Sequence, residues 1–201
     1  QEVVGKWTNT TDSIDEITVT TSSANYNLGQ TVVLGWDPTD THTTNFWEEL
    51  ASVELSSSGD QLSSGSFTAK KYLWCQVVLK PVGSINMRLS CNNDTSANYS
   101  RNYSNNGSTN STTISANYAQ LNNENSFQFY NIFMINNSAN EKLGIVHNVD
   151  QKTTLATTAP TRTERVFKWA NTSAQITEID IDNTASGSYD TGSIIKVWGS
   201  D

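Results

Sequence analysis

Residues 72–91 read YLWCQVVLKPVGSINMRLSC. Two apolar runs flank Lys80–Ser84, where Pro81 and Gly83 supply turn chemistry. The stretch predicts two β-strands around a tight turn. With Val82–Gly83 at the tip, Cys75 faces Cys91, Val77 faces Leu89 and Leu79 faces Met87. Facing residues of an antiparallel pair have Cα atoms about 4.5–5.5 Å apart, within the reach of a disulfide. Two readings of the cysteines follow. One is a Cys75–Cys91 bridge, which implies an oxidising, extracellular setting. The other is two buried thiols acting as small hydrophobes.

The same strand signal extends along the chain. Strands are expected over 14–20, 31–36, 51–56, 66–79, 85–91, 126–136, 142–149, 165–170, 176–182 and 193–198. In ITEIDID at 176–182, Ile179 and Ile181 face in, while Glu178, Asp180 and Asp182 form an outward, solvated stripe. In the last strand Ile195 and Val197 share one face, Ile194 and Lys196 the other. SFQFYNIFMIN at 126–136 is apolar almost throughout, as for a central strand buried on both faces. The one helix-like stretch, 44–51, is short and reads as a single turn entering a strand. Strands joined by turns, without intervening helices, indicate an all-β fold, an antiparallel β-sandwich of jelly-roll-like form.

The composition agrees. The 201 residues carry only 16% charged side chains, and Ser, Thr and Asn dominate the polar ones. That profile suits strands and polar loops better than long surface helices. The formal charge of −8, with no basic cluster, opposes a phosphate backbone, so nucleic acid is not an expected partner. No apolar run approaches the roughly 20 residues that span a bilayer, so no membrane insertion is expected. The start at Gln1 reads as a processed or excised terminus.

A phrase recurs near the two ends. GKWTNTTDSIDEI at 5–17 echoes FKWANTSAQITEI at 167–179. Trp7 matches Trp169, Asn9 matches Asn171, Ile14 matches Ile176, Ile17 matches Ile179, and Val19 falls opposite Ile181. Further on, VLGWD at 33–37 resembles VWGSD at 197–201. The repeat reads as strand, turn and strand. It divides the chain into an N-terminal hairpin, 1–37, and a sandwich domain, 38–201. Either the hairpin closes an earlier, equivalent unit, or both hairpins are relics of duplication within one sandwich. In both cases Trp7, Ile17, Val19 and Val33 give it an apolar face that needs cover, because an isolated hairpin is marginal in water. That cover is its own domain or a neighbouring copy.

Catalytic signatures are missing. His42 reads as a loop residue and His147 as a structural strand residue, and no nucleophile or metal motif is present. Asp37 with Asp40, and Asn93 with Asp94, offer oxygen ligands that could take calcium, but neither pair has the spacing of a calcium loop. No cofactor is expected. The polar stretch 92–125 reads as a long loop region with one or two short strands carrying Tyr99, Tyr103 and Tyr118, a ligand surface or a cover for a neighbouring strand. Asn-x-Ser/Thr occurs at Asn9, Asn93, Asn98, Asn102, Asn106, Asn110, Asn136 and Asn171. The cluster from Asn93 to Asn110 is the place where glycosylation is expected if the host performs it.

FWEELASVELSSSGDQLSSGSFTAKKYLWCQVVL at 46–79, RLSCNNDTSANYS at 88–100, INNSANEKLGIVH at 135–147 and the closing stretch 166–201 resemble a family of uncharacterised marine viral and metagenomic proteins found among tailed-virus structural genes. The FTAKKYLW strand also resembles the jelly-roll strand of phage fibres and C1q-like heads. The resemblance implies a structural or attachment role on a virion surface or in an extracellular setting, with copies of the chain as partners. The cysteines and the doubled hairpin depart from it. A second expectation from a different class is a carbohydrate-binding or adhesin module, in which Tyr99, Tyr103 and Tyr118 meet cell-surface glycans. No enzyme activity is expected.

Overall fold

A computed structural model describes residue 11, residues 15–20 and residues 46–201. The chain forms two units, Gln1–Thr43 and Thr44–Asp201, and the second is an antiparallel β-sandwich. Among the described residues there is no helix. The large sheet has eight strands. They are β1 (Glu48–Glu54), β3 (Tyr72–Leu79), β6 (Tyr99–Asn105), β7 (Ser111–Ala116), β9 (Gln128–Ile135), β10 (Lys142–Asp150), β11 (Thr161–Trp169) and β14 (Ile194–Ser200), in the order β1-β14-β3-β9-β10-β11-β6-β7. The small sheet has four, β2 (Gln61–Ser63), β5 (Met87–Cys91), β8 (Ala119–Gln120) and β12 (Ile179–Asn183), in the order β2-β12-β5-β8. A two-stranded clip pairs β4 (Pro81–Val82) with β13 (Ser188–Tyr189).

Alternation builds the core. Leu73, Cys75, Val77 and Leu79 point inward from β3, as do Tyr130, Ile132 and Met134 from β9 and Ile195 and Val197 from β14. The small sheet answers with Leu62, Met87, Leu89, Ile179 and Ile181. Burial of these side chains is worth about 1.5–3 kcal/mol each before the entropy of ordering them is subtracted. On β10 the inward position between Lys142 and Val146 is Gly144, and the Phe167 ring occupies the space a Cβ would need.

The turn at Lys80–Ser84 is a corner, not a hairpin tip. β3 pairs with β9 and β14, whereas β5 pairs with β12 and β8. The chain crosses from the large sheet to the small one by way of β4, held against β13. Gly83 has φ 79°. Beside it, a Cβ on Gly187 would run into the Val82 and Ser84 carbonyl oxygens. Cys75 and Cys91 therefore lie in different sheets and do not face one another across a strand pair. Both are free, buried thiols. Burial raises both pKa values, that of Cys91 to about 12, so neither is a thiolate at neutral pH.

Other expectations shift too. The strand expected from 51 begins at Glu48, within the stretch read as a helical turn. The region 92–125 is more regular than a loop: β6 pairs with β11, β7 with β6, and β8 with β5. The C-terminal copy of the repeat is not a hairpin: β12 lies inside the small sheet and β14 inside the large one. Of the N-terminal copy, Trp7 and Val33 lie outside the described residues. Residues 15–20 carry no regular structure, contrary to the strand expected over 14–20, and Ile17 and Val19 stand exposed.

The acidic stripe of β12 also departs from expectation. Asp180 is 1% exposed, and neither carboxylate oxygen has a hydrogen-bond partner. Burial pushes its pKa up and the charges of Glu178 and Asp182 add to that, while the nearby Ser63 hydroxyl and Asn93 backbone N–H offset part of the rise. The sign of the linkage follows. Below the ordinary carboxylate range, folded and unfolded chains are both protonated and the group contributes nothing. As pH rises through that range towards the raised folded value, the unfolded chain ionises first and stability falls. Asp180→Asn is expected to stabilise the protein at pH 7 by about 1–2 kcal/mol, through removal of an unpartnered buried charge. The gain shrinks towards zero near pH 4. Urea unfolding at the two pH values checks this; an equal loss at both contradicts it.

Candidate functional site

The outward face of the large sheet is as apolar as many cores. Cross-strand register lines up its side chains in rows. One row runs Trp198, Trp74, Phe133, Ile145 and Val166, from β14 through β3, β9 and β10 to β11. Phe133 is 42% exposed, Ile145 50% and Val166 51%. A parallel row carries Ile194, Val78, Phe129 and Val149 and ends on Arg162 of β11; a third carries Tyr72, Ile135 and Leu143 between Ser200 of β14 and Lys168 of β11. The expectation that the strand at 126–136 is buried on both faces holds only for its inner side: Phe129, Phe133 and Ile135 are exposed.

The aromatic end of this face is ordered by ring contacts. Trp74 stacks on Phe133 with centroids 5.7 Å apart and 6° between planes. Trp198 lies 4.9 Å from Trp74, and Trp47 lies 6.0 Å from it. The Trp74 indole donates to Asn131 Oδ1 at 2.5 Å. Its position is thus fixed by the sheet before anything docks on it.

Between the two longer apolar rows lies one polar row: Lys196, Gln76, Asn131, His147 and Glu164. It is positive at the β14 end and negative at the β11 end. Lys196 pairs with Glu49 at 3.6 Å and Glu164 with Arg162 at 3.5 Å. Both are exposed pairs, of the kind worth little in isolation.

The tyrosines of the 92–125 region do not form a surface together. Tyr99 is 1% exposed, and its hydroxyl accepts the Cys91 amide at 2.9 Å. Tyr103 carries the Arg165 guanidinium 4.4 Å from its ring centroid. Tyr118 carries that of Arg88 at 4.2 Å, with Arg101 at 5.6 Å. Tyr99 belongs to the core because inward positions of β6 fall on every second residue, a register invisible when the segment is taken for a loop. Asn93, Asn98, Asn106 and Asn110 are exposed, and Asn102 is half-buried. Asn136 is fully buried and hydrogen-bonded, so that sequon is closed.

Asp94, one of the calcium candidates, has its oxygens taken by the Trp169 indole, the Asn98 amide and the Ser96 backbone N–H. No group of three or more His, Cys, Asp or Glu able to hold a metal occurs among the described residues. His147 stands exposed on the outer face; His42, Asp37 and Asp40 lie outside the described residues. A polar cleft of about 70 Å³ between Asn105, Asn122, Glu124, Lys152 and Arg162 has room for a few waters, whereas ligand pockets run to about 300–1,000 Å³. The chain matches no protein-family model, no curated protein and no solved structure.

The sequence does carry the signal for the outer face. In KLGIVHNVD at 142–150, Leu143, Ile145 and Val149 alternate with Gly144 and Val146. A strand apolar on both sides is one that has a neighbour on both sides.

Proposed function

We propose that this chain is a non-enzymatic structural protein of a virion or other extracellular assembly, acting through self-association and surface attachment. One observation carries the reading: the outer face of the large sheet presents two long apolar rows to solvent. Five strands at about 4.8 Å spacing and six residues at about 3.3 Å rise give a field of about 480 Å² in plan, crossed by the one polar row. The largest apolar patch on a monomer is of about this size and is often functional. The carbohydrate-binding alternative is less well supported, because Tyr99 is buried and the rings of Tyr103 and Tyr118 are engaged by guanidinium groups.

Ile145→Glu tests the reading. A carboxylate in the middle of the face is solvated in a free chain and stranded in an assembled one, at a cost of several kcal/mol. Self-association is expected to weaken on the order of 100-fold, read as mass by light scattering during size exclusion. Val82→Glu, at an exposed position of the β4–β13 clip and outside the large sheet, is expected to leave the mass unchanged. Equal behaviour of the two variants contradicts the reading.

A further inference from the structure

We infer that the partner covering this face is a second copy of the chain, stacked face to face about a two-fold axis that runs along β9. The inference rests on the self-association reading and adds its geometry. β9 is the middle of the five strands that carry the apolar field, with β3 and β14 on one side and β10 and β11 on the other. A two-fold along β9 lays each row on itself in reverse order, the self-complementary arrangement that an isologous interface requires.

The rows satisfy that condition. Phe133 meets Phe133 of the second copy and Phe129 meets Phe129. Trp74 falls opposite Ile145, Trp198 opposite Val166, and Val78 opposite Val149. These pairings set apolar against apolar; at the ends of two rows Ile194 falls opposite Arg162 and Ser200 opposite Lys168. The polar row also reads correctly in reverse. Lys196, at its β14 end, meets Glu164 at the β11 end of the other copy, and Gln76 meets His147. Charge complementarity of this kind fixes register and suppresses wrong partners. Shifting the axis to lie between β3 and β9 instead sets Lys196 against His147 and loses the match.

Size and spacing agree. Two such fields brought together remove about 1,000 Å² in plan, at the threshold for a specific interface. Sheets stack about 10 Å apart with strand directions within about 30°, so the match is closest at the axis, where the phenylalanines lie. Three apolar rows and one polar row then form a second core outside the first, and β9 and β10 become strands covered on both sides.

The test uses the full chain. Phe133→Cys places a thiol on the axis while the native thiols stay buried. A short bis-maleimide is expected to link it into dimers on a denaturing gel. Phe129→Cys, also on the axis, gives the same readout should loss of the Trp74 stack disturb folding. In parallel, Lys196→Glu and Glu164→Lys are each expected to weaken the dimer about tenfold, and the double variant to restore it. Assembly that persists without linkage at either cysteine, with no rescue in the double variant, overturns the two-fold geometry and leaves self-association standing. A trimeric mass does the same. A chain that stays monomeric at every concentration overturns both.

Discussion

Trp169→Ala is expected to cost the sandwich about 3–5 kcal/mol, the range for removing a fully buried aromatic side chain. Trp169 closes β11 at 1% exposure. Its ring lies 6.5 Å from that of Tyr99 and 5.9 Å from the Lys142 ammonium. Its indole donates to Asp94 Oδ2 at 2.7 Å. Burial works against the Asp94 charge, but hydrogen bonds from Asn98, Trp169 and Ser96 outweigh it and hold the carboxyl below its ordinary value. The stability this supplies is present above the ordinary carboxylate range and is lost as pH falls through the folded value. Trp169→Ala therefore has two signatures. The melting temperature drops by roughly 10 °C, and the acid-side loss of stability becomes shallower. Trp169→Phe keeps the ring contact, loses the donor, and is expected to reproduce the second effect with a smaller first one. A change in Trp169→Ala below about 1 kcal/mol in urea unfolding contradicts this account of the core.

Asn136→Ala is expected to cost about 3 kcal/mol or more, for a different reason. Asn136 follows β9 and is 0% exposed. Its amide donates to the Lys70 carbonyl at 2.9 Å and the Ile176 carbonyl at 3.0 Å, and its Oδ1 accepts the Ile176 N–H at 2.6 Å. The side chain thus ties the approach to β3 in the large sheet to the approach to β12 in the small one. Alanine leaves two carbonyls and one N–H without partners in a dry place, at about 1–3 kcal/mol for each buried group left unsatisfied. Asn136→Asp keeps the shape but turns a donor into an acceptor facing two carbonyls, so it is no rescue. Hydrogen exchange of the Ile176 amide reports the effect locally. Protection is expected in the native protein and lost in Asn136→Ala; retained protection contradicts the role assigned to the strap.

What the sequence made legible was the face on which each residue lies. Ile179 and Ile181, Ile195 and Val197, and the inward half of SFQFYNIFMIN were readable because the two-residue period of a strand is local. What it hid was which sheet each strand joins. The run from Tyr72 to Cys91 satisfies every local rule for a hairpin, yet Pro81–Val82 finds Ser188–Tyr189 more than a hundred residues on, and that pairing turns the chain into the other sheet. The repeat hid the same fact: its C-terminal copy spans both sheets. Asp180 shows the limit of alternation, since an outward register does not guarantee water. The outer face was visible as strands apolar on both sides, and was misread because apolarity does not say whether the cover comes from the same fold or from another molecule. Asn136 gave no signal beyond a sequon, because its role depends on backbone groups far apart in the chain.

Sedimentation velocity of the full chain, from about 1 µM to about 100 µM, tests the central claim most directly. The apolar outer face predicts a concentration-dependent species heavier than the 22.1 kDa chain, which Ile145→Glu converts to the monomer without loss of the β-sheet circular dichroism signal. A native chain that sediments as a monomer across the whole range contradicts it.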